Sequence, residues 1–328
     1  AAFFAETVAA LIEALMGNPF GIGGSLIIGM FQGLGAEIGF AVFAASVPCS
    51  LIFITGDAVI NPLAASYAGG ADFVTWLKVM GVPAIIMSII TLILFLALYR
   101  PERDYSIDKD AIRGKLADMG KMSGVEVKTI VWVLIAIVLW FTESIHGIDI
   151  GWVTFAVGML MSMPIIGDLN AAKDWSAVPI HVLVFLTAAM AIGHVGADTG
   201  MNAWIASFMP TSVPDNMFII AAIIVALSFA VHMLLGSVIA VMGVAVPAIL
   251  AFAQPLGIDP MVATMICYMA VAAHYLFPFQ HLNTLVGASP DTGNYTQKET
   301  LKLGIALIPV LFLMGWVMVG WFGVIGML

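Results

Sequence analysis

From Val74 to Leu98 the chain carries one charged residue, Lys78, in an otherwise apolar stretch. Similar runs recur at about 22 to 43, 46 to 66, 129 to 146, 150 to 166, 179 to 196, 217 to 253, 261 to 289 and 301 to 327. A crossing helix needs ~20 such residues, and most of these runs suffice for one crossing. Backbone cannot lie unpaired in lipid, so segments of this kind are restricted to helices packed as a bundle. The chain is 62% hydrophobic and 9% charged, with a mean hydropathy of +1.09. No soluble core could bury that apolar surface, so the expected fold is an all-α, multi-pass integral membrane protein.

Charge orders the spans. The long polar segment Tyr99 to Lys128 holds Arg100, Arg103, Lys109, Arg113, Lys115, Lys121 and Lys128, and it is expected on the cytoplasmic side of the cell membrane. Alternating sides from this anchor puts ten of the eleven basic residues inside, with Lys78 the exception. The run 217 to 253 is shorter than two crossings of ~20 residues plus a turn, so it reads as a re-entrant hairpin with its tip at Gly236-Ser237. Two full crossings there would give the same parity. The net charge of -9 is spread over loops and does not point to nucleic acid. Cys49 and Cys267 fall in apolar runs without disulfide or zinc spacing, and no cofactor is expected.

Two polar breaks interrupt the apolar sequence. One is Leu235-Gly236-Ser237 after His232; the other is Pro278-Phe279-Gln280-His281-Leu282-Asn283-Thr284 after His274. Irregular chain at membrane depth is tolerated where it lines a protected cavity, and broken helices at the midplane are how secondary transporters bind substrates and ions. Half-helix N-termini suit an anion, and unwound carbonyls suit Na⁺. The candidate site therefore comprises Gly236, Ser237, Pro278, Gln280, His281, Asn283 and Thr284, with Na⁺ near Ser237 and Asn283. Pro48 and Ser50 mark a counterpart in the first half. Neither break contains Lys or Arg. The alternative for the polar side chains is helix capping or interhelical hydrogen bonding. His281 is the best functional histidine because it lies inside a break, while packing reads as well as function for His232 and better for His274. His146, His181 and His194 fall near span ends.

A weak internal repeat accompanies the breaks. Pro48-Cys49-Ser50 precedes Thr75-Trp76-Leu77-Lys78 and a helix containing Pro83; Pro278 and Asn283 precede Thr300-Leu301-Lys302 and a helix containing Pro309. In the topology above the two copies start from opposite sides, which is the arrangement of inverted repeats. An enzyme would need a nucleophile constellation. Ser237 with His274 or His281 lacks a nucleophile turn, and no HExxH occurs.

From about residue 45 to Leu328, the order of broken helix, span, basic loop, three spans, hairpin, broken helix and final span resembles the divalent anion/sodium symporter family. The resemblance implies Na⁺-coupled transport of a dicarboxylate, tricarboxylate or sulfate, and a homodimer. The family's hairpin tip is Ser-Asn-Thr, here Ser237-Val238-Ile239, and its Asn in the second broken helix falls at Asn283. The opening residues, with Gly17-Asn18-Pro19-Phe20-Gly21 and Gln32-Gly33-Leu34-Gly35-Ala36-Glu37-Ile38-Gly39-Phe40, resemble the membrane component of an energy-coupling-factor transporter for thiamine or its pyrimidine precursor. That resemblance implies vitamin binding as the alternative function. The expected division is a vitamin-transporter-like piece at 1 to 43, the end of a first symporter repeat at 44 to 98, the basic loop at 99 to 128 and a second repeat at 129 to 328. Such a division implies a hybrid that begins inside a longer gene product and lacks the first hairpin, so that transport by the chain is incomplete.

Overall fold

A computed structural model describes residues 36–57, 59–99, 121–167, 215–288 and 295–328, with isolated positions between 114 and 207. Residues 1–35, most of the basic loop and nearly all of the expected span at 179–196 lie outside the described residues. The described chain is helical, without strands, and groups into two compact units. The larger draws on residues up to 71, from 75 to 99 and from 184 onward; the smaller comprises 72–74 and the described part of 101–182.

In the larger unit, α1 spans Ala36–Cys49 and is followed by turns and then by the short α2, Ile60–Tyr67. The next helix, α3, runs Phe73–Leu98 with one π-helical turn at Leu77–Gly81. Its two faces are both apolar. Val82, Ile85, Ile89, Ile93 and Leu96 are exposed at helical spacing, while Met80, Ala84, Met87 and Phe95 are buried opposite them. An outward face of that composition suits lipid, where no polar face is required.

The smaller unit pairs α4, Gly124–Phe141, with α6, Ile150–Met161, through the single-turn α5, Glu143–His146. Ser123 and Glu126 form a reciprocal capping box at the start of α4, satisfying two otherwise orphaned donors. Ala136, Val153 and Val157 form the seam between the two helices.

The larger unit resumes with α7, Met217–Leu235, and α8, Val238–Ala253, which a 3-10 turn prolongs to Leu256. Gly236 separates them with φ +71°, a left-handed conformation that glycine adopts without steric cost. Helix α9, Pro260–Ala272, is buried along its whole length from Met261 to Ala272. A helix apolar on every side has no solvent face, and α9 accordingly forms the centre of its unit, packing against α7, α8 and α2. The chain then unwinds, makes a 3-10 turn at Pro278–Gln280 and enters the short α10, Leu282–Gly287. The last helix, α11, runs Gln297–Val324 and packs against α7, α9 and α3. Fully buried Phe40 on α1 makes edge or tilted ring contacts with Phe95, Tyr99, Tyr275 and Tyr295, tying three other segments to α1.

Among the described residues, five helices are long and apolar enough to cross a membrane: Phe73–Leu98, Gly124–Phe141, Met217–Leu235, Val238–Leu256 and Gln297–Val324. Across the two-residue turn Gly236-Ser237 the arms Met217–Leu235 and Val238–Leu256 have 19 residues each, so length alone does not require re-entrancy of 217–253. The interrupted character of 261–289 is present as α9, an unwound stretch and α10. In the first half the interruption lies at Ser50 to Val59, and Pro48 sits inside α1 just before it.

Candidate functional site

The first break is organised by Asn61, the second residue of α2. Its side chain is fully buried, and Nδ2 donates to the carbonyls of Ser50 at 2.7 Å and Phe53 at 2.9 Å. Indole Nε1 of Trp76 donates to the Leu51 carbonyl at 3.1 Å. Carbonyls at the break are thus bonded by side chains, as depth in a membrane requires. Asp57 closes the break by accepting from the backbone N–H groups of Val59 and Ile60, both at 3.0 Å. This is the cap of a helix N-terminus, made by an acid beside a positive dipole end.

The second break is built in the same manner. Gln280 Oε1 accepts from the backbone N–H of Leu276 and, at 2.8 Å, from that of Phe277. Thr284 donates to the carbonyls of Pro278 at 2.7 Å and His281 at 3.0 Å, and Tyr295 donates to the Thr284 carbonyl at 2.6 Å. Gly304 of α11 lies against the unwound chain so closely that a Cβ there would stand 2.0 Å from the Tyr275 carbonyl oxygen. Only glycine permits that approach.

The two breaks exchange asparagine contacts. Tyr268 of α9 donates to Asn61 Oδ1 of α2, and Asn283 of α10 donates from Nδ2 to Ser46 Oγ of α1 at 3.1 Å. Each asparagine is the second residue of a short helix that follows a break. Each reaches the last turns of the other broken helix. Packing follows the same exchange, α1 against α10 and α2 against α9.

Beside this crossing sit three histidines. His232 in the last turn of α7 has ring centroids 6.3 Å from His274 and 6.2 Å from His281, and all three rings are buried. Phe229 and Tyr275 flank them, at 5.1 Å from His274 and 6.0 Å from His281. Residues from α7, from the unwound chain after α9 and from the position just before α10 thus meet in one place, although 42 positions separate His232 from His274 in the sequence.

The residues expected at the site divide by what their side chains already do. Ser50 donates to the Val47 carbonyl at 2.8 Å, and Thr284 and Gln280 shape their own break, so these three hold backbone. Pro48 and Pro278 mark the approach to each break. Gly236 supplies the turn, with the Phe279 ring 3.0 Å from where its Cβ would stand, which places the α7–α8 turn against the second break. Ser237 occupies the N-cap position of α8 without making a cap hydrogen bond. Asn283 braces the two breaks, and His281 belongs to the histidine cluster.

Sequence reasoning passed over Ser46, Asp57, Asn61, Trp76 and Tyr268. A signal was available in part. Ile60-Asn61-Pro62-Leu63 and Leu282-Asn283-Thr284-Leu285 place an asparagine at the same point after each break, and Asp57 is an acid in an apolar run.

The chain matches the family described as the sodium:sulfate symporter transmembrane region over residues 28–328. No curated protein sequence matches it. The family match begins within the stretch compared above with a vitamin transporter component, and neither comparison supports that second resemblance. Membership implies a membrane transporter, and Na⁺-coupled anion transport is the activity class the family suggests. By the extent of its match and its all-helical architecture, this chain belongs to the sodium:sulfate symporter family.

Proposed function

We propose that the chain carries a small multivalent oxyanion, a di- or tricarboxylate or sulfate, across the cytoplasmic membrane together with Na⁺. The observation that carries this reading is the reciprocal bracing of two broken helices through Asn61–Tyr268 and Asn283–Ser46. Interrupted helices at depth turn backbone N–H groups and carbonyls toward ions, and bracing fixes their positions. The anion lies between the start of α10 and the α7–α8 turn, where the Ser237 hydroxyl is unspent by capping. Na⁺ enters as cargo and takes oxygen ligands from the unwound segments. No Lys or Arg lies in the breaks, so dipoles, neutral donors and co-transported cations offset the anion's charge.

Within this reading the reciprocal contacts support an inverted repeat, with α1–α2–α3 answering α9–α10–α11. The basic loop faces the cytoplasm, lipid surrounds the exposed apolar faces, and two copies form a homodimer. The test is uptake of radiolabelled succinate, citrate and sulfate into proteoliposomes with and without an inward Na⁺ gradient. Uptake of at least one anion should rise several-fold with Na⁺. Equal uptake without Na⁺ refutes symport, and Asn283→Ala with unchanged uptake removes the brace from the mechanism.

A further inference from the structure

The three buried imidazoles leave most of their hydrogen-bonding capacity unused. His274 Nε2 lies 3.1 Å from the Gly304 carbonyl oxygen. A carbonyl only accepts, so Nε2 carries the hydrogen and Nδ1 of the neutral ring is a bare lone pair. That Nδ1, both nitrogens of His232 and Nε2 of His281 are buried without a partner. His232 and His274 are 0% exposed and His281 6%. Buried polar atoms are nearly always bonded, and four orphans around one small volume call for a ligand. For packing alone, phenylalanine or leucine would fill the same space without the desolvation cost.

The identity of the ligand follows from spacing and charge. Among the described residues no group of three His, Cys, Asp or Glu is placed to hold a metal ion. The 6.2 and 6.3 Å ring separations also keep the nitrogens from bonding one another directly. A proton needs only one nitrogen, and His232, with both nitrogens unpartnered, could present two N–H groups to an arriving anion.

Among the described residues of α7, α8, α9, the unwound chain and α11, no fixed charge faces the cluster. Helix α7 has no other titratable residue, and α8 has none. Helix α9 offers Cys267 and Tyr268, the latter bonded to Asn61. The unwound chain adds Tyr275, whose hydroxyl is buried and unpartnered. On α11, Glu299 is bonded to Thr296, Lys302 to the Leu98 carbonyl, and Lys298 stands in the exposed first turn. A proton taken up here has no protein countercharge. An arriving anion would supply it, and the protonated ring would in turn supply N–H donors to the anion.

We propose that His232, His274 and His281 form a proton-binding site that loads together with the anion, with His232 as the residue that takes the proton. This rests on the anion-transport reading above and adds a third species to the transported set. By linkage, the anion's affinity rises as pH falls through the titration of the loaded cluster, and proton affinity rises with anion occupancy.

The test uses the full chain in nanodiscs with Na⁺ present. Calorimetric titration with sulfate, succinate and citrate, in two buffers of different ionisation enthalpy, gives the protons taken up per anion bound. Sulfate holds no proton near neutrality, so uptake with sulfate belongs to the protein. The expected result is proton uptake approaching one per anion between about pH 6 and 8, the range of histidine chemistry. His232→Gln should bind the anion with that uptake lost and with affinity flat across pH. Binding without proton uptake, or unchanged uptake in His232→Gln, overturns the proton site and leaves anion transport standing. Absence of binding for all three anions overturns the transport reading and the proposal with it. Nitrogen-15 spectra of the histidine-labelled protein report all six imidazoles: one should gain a proton on anion addition in the wild type and none in His232→Gln, and six unchanged wild-type rings overturn the assignment.

Discussion

Replacement of Asn61 by leucine is the sharpest probe of how the first break is held. The substitution nearly conserves volume and removes three hydrogen bonds at once. Their costs differ. The Phe53 carbonyl also accepts from the Gly56 N–H at 2.8 Å, so it keeps a partner and loses about 1 kcal/mol. The Ser50 carbonyl and the Tyr268 hydroxyl lose the asparagine bond in buried surroundings, at about 1–3 kcal/mol each. The total is about 4 kcal/mol. Tyr268→Phe alone orphans only Asn61 Oδ1 and should cost about 1.5 kcal/mol. The double variant then tests the reasoning, because removing the hydroxyl from an Asn61→Leu background removes an orphan. It should be about 1 kcal/mol more stable than Asn61→Leu, a coupling of the size expected for residues in contact. Unfolding by sodium dodecyl sulfate, followed by helical circular dichroism, measures all three variants. A double variant near 5.5 kcal/mol, the additive value, would show that Tyr268 and Asn61 do not depend on each other and would refute the network as drawn.

Gly304→Ala should lose folded, monodisperse protein on size exclusion, because the new methyl would stand 2.0 Å from backbone that cannot yield, at a cost of about 2 kcal/mol or more. Ser46→Ala and Asn283→Ala remove the same 3.1 Å bond, so each should cost about 1 kcal/mol in detergent unfolding, and the double variant should be no worse than the worse single. Ser237→Ala should leave unfolding unchanged, since its hydroxyl makes no cap bond, while weakening anion binding about tenfold by calorimetry.

What was legible in the sequence follows from the range of each interaction. The apolar runs, the polar segment between them and the break after His274 are local patterns, and the corresponding helices α3, α4, α6, α7, α8, α9 and α11 are present in the structure. The turn at Gly236 was readable because glycine after an apolar run is a helix stop. The division of labour among the polar residues was not. Ser50, Gln280 and Thr284 looked like ligands because polar side chains at depth usually have a task. Their task here is to bond the carbonyls and N–H groups that each break exposes. Asn61 stayed hidden for the converse reason, since its partner Tyr268 is 207 positions away and no spacing rule links them. Re-entrancy of 217–253 rested on residue arithmetic, and a turn as short as Gly236-Ser237 leaves 19 residues to each arm, so that arithmetic does not require it.

The exchange of contacts between the breaks also limits how the protein can move. Asn61 follows the end of α1 by twelve residues and contacts α9; Asn283 follows the end of α9 by eleven and contacts α1. Each short helix is therefore anchored to the opposite broken helix, and the four segments form a closed loop of contacts. A displacement of α10 relative to α1 strains the Asn283–Ser46 bond and, through α9, is carried to Asn61. Alternating access in such a unit requires either rigid movement of all four segments together or concerted loss of both bonds. In the first case, Asn61→Leu and Asn283→Ala alter stability but change uptake rate in proportion to each other. In the second, either variant alone lowers the barrier, so that exchange of anion across the membrane runs faster while its coupling to Na⁺ weakens. Parallel measurement of exchange rate and Na⁺ dependence in the two variants separates these cases, because only the second raises one while lowering the other.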